Sequence, residues 1–331
     1  MMIRLTPPAA RAPRGSVRPA DRPKPAAKPR QHPHVGIVIL NWKRPEDTTA
    51  CLRSLEALDY PSYEVVVVDN GAVEGSPALL RQRFPQLMLI ENGRNLGFAA
   101  GSNVGIEHLL RRGADYVLLL NDDTEVAPDL LSRLVEAGEA DPGLGILGPT
   151  IYYHGRPDVI WSAGGSIDPY GAARHLGADE RDDRSSPAVR DVDYVTGCAM
   201  LVKREVIERI GALDERFFAY YEETEWCARA RRAGFRVAHV PPVRMWHKIE
   251  PAARGNSPLY LYLMARNRLL YLKCSGAGRR RILLASVDLL RTAASSLRRR
   301  EKRATIRCSG PLVHGVCDFL LGRLGVPPAY P

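Results

Sequence analysis

No stretch of this sequence approaches the ~20 consecutive apolar residues that a membrane-spanning helix needs. The longest candidate, 282–290, is broken by Ser286 and Asp288. The N-terminal segment is rich in Arg and Pro but has no continuous apolar core, so a secretory signal is not expected. Cysteine is sparse: six residues, at 51, 198, 227, 274, 308 and 317, form no C-x-x-C pair. That excludes a zinc ribbon and a thioredoxin-type motif. Cys51, Cys198 and Cys227 sit among apolar residues and are expected as buried thiols, which favours a reduced, cytoplasmic compartment. There is no internal repeat and no recognisable nucleic-acid-binding module.

What is present suits an enzyme-sized α/β domain. The chain has 331 residues, 45% of them hydrophobic, enough for one large core with appendages. The net charge of +10 is unevenly spread. Residues 1–34 carry eight Arg/Lys against Asp21, and residues 266–331 carry fourteen against Asp288, Glu301 and Asp318. The middle, 35–265, is therefore acidic, at −8. An acidic middle suits a divalent-cation site, and basic ends suit an anionic surface or plain solvation.

Residues 1–33, rich in Pro, Arg and Ala, read as a disordered arm. From Val35 the texture changes. VGIVIL, YEVVVVDN, LMLIEN and ADYVLLLNDD read as four buried strands, with helical spacing over 47–58, 77–84 and 99–112 between them. Such alternation predicts a mostly parallel sheet covered on both faces. Ligands of such sheets bind at the carboxyl ends of the strands. Asn41, Asp69, Asn70, Asn92 and the triplet 121–123 fall there. Residues 151–192 predict short strands and long loops. A strand and a helix over 192–211 follow, then a helix from about Glu222, a strand after Gly234, and two helices at 259–274 and 280–300.

Six motifs carry candidate chemistry, each with a plainer reading. Asp69 can accept hydrogen bonds from a base or ribose, or cap a helix. In GRNLGFAAGSNVGI, Gly97 permits close backbone approach and Asn95 and Asn103 offer amides; the segment fits a dinucleotide fingerprint poorly and also suits a tight strand-to-helix turn. Asp122 and Asp123 after YVLLL suit a Mg²⁺- or Mn²⁺-diphosphate site, with Asp123 as ligand, or a helix cap. Glu222, Glu223 and Glu225 are either a solvated acidic helix start or the source of a general base. His247 in RMWHKIE is a second metal ligand or a core histidine. Arg266, with Asn267, either reaches a diphosphate or faces solvent on an amphipathic helix.

Taken in order, VGIVILNWKR, VVVVDN, GRNLGFAAGSN, LLLNDD, IWSAGGSID, YVTGCAMLVKR, GALDERFFAYYEETEWCARARRAGFRV, WHK and ARNRLLY resemble the family 2 glycosyltransferases. The resemblance is greatest to the bacterial rhamnosyltransferase-like branch and runs from about Val35 to Lys273. It implies a GT-A-type, Rossmann-like nucleotide-sugar-binding domain over 34–273, with a basic helical extension over 274–331. It also implies an inverting transfer of a sugar, rhamnose being one candidate, from a dTDP-, UDP- or GDP-linked donor. The acceptor would be a hydroxyl of a polysaccharide or lipid-linked glycan of the cell envelope.

Carried over by position, Asp69 is the nucleoside carboxylate and Asp123 the last residue of the D-x-D metal motif. Glu223 is the base and His247 completes the metal site, while Asn41 and Arg44 lie on the loop that touches the nucleotide. Asn121 stands where the first D-x-D aspartate is usual, and a Glu–Glu pair stands for Glu–Asp. A catalytically inactive nucleotide-sugar-binding scaffold is the alternative. A cytoplasmic protein is expected. The apolar positions of 282–297, flanked by Arg279–Arg281 and Arg298–Arg300, suit a peripheral contact with an anionic membrane or a helix packed on the domain.

Overall fold

The computed structural model describes residues 32–42, 44–71, 75–183, 188–249, 257–298 and 304–327, with backbone only at 296–298 and 304–308. The expected arm, 1–33, lies outside the described residues except for its last two positions. Residues 32–331 cluster as one compact unit.

The first half is built from β1 (Val35–Asn41), α1 (Pro45–Leu55), β2 (Tyr63–Asp69), α2 (Ser76–Arg83), β3 (Met88–Glu91), α3 (Gly97–Arg111), β4 (Tyr116–Asn121), β5 (Thr124–Val126) and α4 (Leu130–Ala140). Strands β1 to β4 pair in parallel as β4–β1–β2–β3, in registers that bring Asn41 opposite Asp69. Val35, Ile37, Val66 and Val67 are wholly buried, which is why these strands read as unbroken apolar runs.

The second half comprises β6 (Leu144–Tyr153), β7 (Arg156–Ser162), β8 (Gly165–Ile167), β9 (Ala173–His175), β10 (Arg190–Asp191), β11 (Ala199–Lys203), α5 (Arg204–Ile210), α6 (Glu222–Arg232) and β12 (Arg236–His247). Among the described residues the main sheet has ten strands. Its path is β10–β12–β6–β11–β4–β1–β2–β3, with β5 on β12 and β7 on β6. Strand β11 runs antiparallel between β4 and β6, and β12 runs parallel to β6. One face packs on α1, α2 and α4, the other on α3, α5 and α6.

Helices α7 (Pro258–Cys274), α8 (Arg279–Arg298) and α9 (Ala304–Leu320) complete the fold. They share a third core, which joins Leu269 and Leu270 of α7, Ala285 and Leu289 of α8, and Leu312 and Val316 of α9 to Phe217 and Tyr221. Cys51, Cys198 and Cys227 are buried free thiols. No helix among the described residues is long and apolar enough to cross a membrane.

Candidate active site

The carboxyl ends of β1, β2 and β4 gather the first polar cluster. Asp69 is buried there, and the Asn41 amide donates to its Oδ1 at 2.8 Å and to the Ser76 hydroxyl at 3.1 Å. Asn41 Oδ1 accepts from Thr48 at 2.8 Å. Asn41 is wholly enclosed, so the expectation of a direct nucleotide contact is corrected: its amide sets the Asp69 carboxylate.

Asn70 fixes the next turn. Its amide donates to Asn95 Oδ1 at 3.0 Å and to the Gly97 carbonyl at 3.1 Å, while its Oδ1 accepts from Asn92 and from the Leu96 N–H. Asn95 in turn accepts from the Gly97 N–H at 2.8 Å. Gly97 adopts φ +85°, and a Cβ there would sit 2.5 Å from the Phe218 ring and from its carbonyl oxygen. The glycine thus admits the 218 loop to the first turn of α3, where the Ala99 N–H donates to Phe218 O at 3.1 Å. Asn103, expected as a donor contact, is engaged by another loop. It exchanges hydrogen bonds with the backbone of Leu213 at 2.9 and 3.0 Å and braces that loop.

Asp122 and Asp123 follow β4. Asp122 accepts from the Trp42 N–H at 3.1 Å. Burial, then the Asp123 charge, push its carboxyl up to about 7. The pairing of β5 with β12 sets Thr124 opposite His247 and so carries the imidazole to Asp123. His247 Nε2 lies 3.0 Å from Asp123 Oδ1, and Arg44 Nη1 lies 3.5 Å from Oδ2. Burial raises the Asp123 carboxyl, but the His247 hydrogen bond and charge, with Arg44, outweigh it and hold it below its ordinary value. Trp161 stands edge-on to His247 at 4.7 Å. Among the described residues no three His, Cys, Asp or Glu side chains group as a metal cage. Two convergent donors still fit Mg²⁺ or Mn²⁺, which completes its shell with phosphate and water.

The third cluster is the start of α6. Glu225 is paired with Arg229 at 2.7 Å, and that arginine also donates to the Ile210 and Ala212 carbonyls, so Glu225 is a structural anchor. Glu222 and Glu223 differ: each has an Oε2 buried without a hydrogen-bond partner. Glu222 is 4% exposed, whereas Glu223 is half-buried. Burial pushes Glu223 up to about 7; burial and the neighbouring Glu223 push Glu222 well above its ordinary range. Glu223 lies against Gly197, whose neighbour Cys198 accepts from the Asn121 N–H at 3.0 Å. The turn 196–198 thus touches both Glu223 and Asn121.

The path into α6 is unusual. Phe218, Tyr220 and Tyr221 have φ of 67°, 69° and 71°, a region that costs a side-chain-bearing residue about 1–3 kcal/mol. Arg266 and Asn267 sit beneath this path, both wholly buried. Arg266 donates to the carbonyls of Phe217 and Gly325, each at 2.9 Å. The expectation that Arg266 binds the donor is therefore corrected: its guanidinium is spent on backbone carbonyls inside the helical layer. Trp161 was not singled out by the sequence, Asn70 was read only as one of the polar strand ends, and Asn267, read with Arg266 as a possible diphosphate contact, is instead bound to the carbonyls of the loop.

A Rossmann-like sheet with its polar groups gathered at one edge and an acidic helix start across a shared turn defines a GT-A-type fold, and the chain is a glycosyltransferase. Residues 36–211 match the family described as Glycosyl transferase family 2, and the chain belongs to that family. The chain is similar to the N-acetylglucosaminyl-diphospho-decaprenol L-rhamnosyltransferase of Mycobacterium tuberculosis, at 27% identity over 67% of this chain and 77% of that one. It is also similar to the dTDP-rhamnosyl transferase RfbF of Shigella flexneri, at 27% identity over 63% of this chain and 70% of that one. Among solved structures, the mannosyltransferase PcManGT from Pyrobaculum calidifontis, in complex with GDP-Man and Mn²⁺, shares the fold. Its TM-score is 0.54 and its identity 17%, with 88% of each chain covered.

Proposed function

We propose that this chain is an inverting, metal-dependent glycosyltransferase that moves a sugar, rhamnose from a dTDP donor as the first candidate, onto a hydroxyl of a lipid-linked or polysaccharide glycan. The observation that carries this reading is the Glu223 carboxyl. It has an unpaired buried oxygen, burial pushes it up to about 7, and it lies against Gly197, beside the Cys198 carbonyl that accepts from the Asn121 N–H. The rhamnosyl donor is suggested by what the two relatives are named for.

In this reading Asp69 holds the nucleoside, and Asn95 and Gly97 shape the turn beside it. Asp123 and His247 hold Mg²⁺ or Mn²⁺, which would supply Lewis-acid neutralisation of charge on the departing nucleoside diphosphate. Arg44 and Asp122 border the diphosphate. Glu223 takes the acceptor hydroxyl's proton as that oxygen bonds to the anomeric carbon and the anomeric carbon–phosphate oxygen bond breaks. A single in-line displacement inverts the anomeric configuration.

Residues 34–273 carry the chemistry, and 274–331 form a basic extension that rests on the inner face of the membrane beside the acceptor lipid. What supports the membrane contact is α8. It turns Ala285, Ser286, Leu289 and Ala293 inward and leaves Leu283, Leu284 and Leu290 exposed among the exposed Arg279, Arg280, Arg281 and Arg291.

The test of the transferase reading pairs binding with turnover. dTDP, UDP and GDP are titrated with and without Mn²⁺ while thermal stability is followed; a ligand at 100 times its Kd adds about 2.7 kcal/mol. Glu223→Gln should keep that metal-dependent shift and lose about 10²–10⁴-fold in rate. A metal-dependent shift without transfer or hydrolysis of any nucleotide-sugar would favour the inactive scaffold, and no shift with any nucleotide would overturn the donor site.

A further inference from the structure

The segment entering α6 does not hold its own shape. Three aromatic residues in four positions, Phe218, Tyr220 and Tyr221, take positive φ, and the N-cap Tyr221 makes no side-chain capping bond. Such a path persists only where the surroundings over-determine it. The surroundings here are two side chains of α7. Asn267 Nδ2 donates to the carbonyls of Phe217, Ala219 and Tyr220 at 2.9, 2.8 and 2.7 Å. Arg266 Nη2 donates to Phe217 O at 2.9 Å and Arg216 O at 3.5 Å, and its Nε donates to Asn267 Oδ1 at 2.9 Å, which turns the amide toward the loop. The far side of the guanidinium reaches Gly325 O, and the Gly325 N–H returns to Arg216 O at 2.8 Å.

Arg266 donates to carbonyls, a hydroxyl and an amide, and its guanidinium stands over the Tyr262 ring. A wholly buried cation is costly to keep, and that cost is offset by these dipoles and by the charge of buried Asp318, which accepts from the Tyr262 hydroxyl at 2.8 Å. Every acceptor of Asn267 lies within five residues of the start of α6. Glu222 and Glu223 are the first two residues of that helix, so a shift of the Tyr220 carbonyl is a shift of the acid pair.

We infer that Arg266 and Asn267 are positioning residues: they hold 216–221 on a strained path that fixes where the Glu223 carboxyl stands. This rests on the reading of Glu223 as the base. The donor edge is set by Asn41 and Asn70 at the ends of other strands and meets the clamped segment at Phe218, against Gly97, rather than through Arg266 or Asn267. Loosening the clamp therefore slows the proton-accepting step and spares donor binding.

The test is steady-state kinetics of Asn267→Leu, which keeps the volume and removes the three donated bonds, with Glu223→Gln measured alongside. The expected result is a kcat about 10²-fold lower with the donor KM and nucleotide affinity unchanged, and Arg266→Lys falling between. A merely structural role would lower the folded fraction and thermal stability but leave kcat per folded molecule intact. Wild-type kcat in Asn267→Leu beside an inactive Glu223→Gln overturns the clamp alone, whereas normal turnover in Glu223→Gln overturns the base. If Asn267→Leu does not fold, hydrogen exchange on the unaltered chain decides. Amides of 217–223 protected like those of α6 support the clamp, and exchange at free-loop rates overturns it.

Discussion

The donor edge and the loop that leads into α6 are held by opposite means. At the donor edge, side chains from the ends of β1 and β2 and from the next turn satisfy one another. Asn41 meets Asp69, Ser76 and Thr48, and Asn70 meets Asn92, Asn95 and the backbone of 96 and 97. In the α6 loop the backbone is strained, the support comes from a helix some fifty residues further along, and two carboxyl oxygens are left unpaired. A surface that must recognise a ligand can be satisfied in its resting state. A base needs a proton affinity raised toward neutrality, and burial without a partner raises it.

The contrast can be broken most sharply at Glu223. Glu223→Gln should lower turnover about 10²–10⁴-fold, and the wild-type rate should climb as pH rises through about 7, where the base ionises. Stability moves the other way. The folded carboxyl titrates above its ordinary 4.5, so its contribution is complete below that pH and is lost as pH rises through about 7. Denaturation midpoints of wild type and Glu223→Gln should therefore converge near pH 4.5, separate between 4.5 and about 7, and keep a constant gap above 7, with the variant the more stable. Parallel curves would remove the raised proton affinity from the account.

Gly97 is where the two regions touch, and Gly97→Ala attacks both. Positive φ and a Cβ 2.5 Å from Phe218 should cost about 1–3 kcal/mol by chemical denaturation and weaken donor affinity and turnover together. A loss confined to one of the two would separate regions that this packing joins. The smallest effect is expected on the membrane face. Leu283→Ser with Leu290→Ser should leave turnover on a water-soluble acceptor unchanged and weaken flotation with anionic vesicles severalfold. Flotation equal to wild type would remove α8 from the contact.

The donor edge was legible because its strands are covered on both faces and end in polar residues. VGIVIL, YEVVVVDN and YVLLLN announce themselves, and Asp69 and Asp123 lie at their ends. The rest was hidden for separate reasons. Strand β6 is buried along its whole length, but its Gly and Pro residues mask it. Strand β12 shifts register between Val240 and Arg244, across Pro241 and Pro242, so His247 did not read as a strand end. Helix α9 contains Pro311 and was anticipated only as part of a helical extension over 274–331, not as an element of its own. Arg266 defeats pattern reading altogether. A guanidinium bound to carbonyls and one aimed at a phosphate have the same spacing, and only the tertiary contact tells them apart.

Gly325 accepts from Arg266 and donates to Arg216, so the chain's last described turn is wired to the loop that carries the acid pair. Chimaeras that exchange the C-terminal helices between relatives, intended to change only where the enzyme resides in the cell, would exchange part of its catalytic scaffold as well. Splice points after Gly325, or donors chosen to retain a glycine at this position, should be the ones that survive.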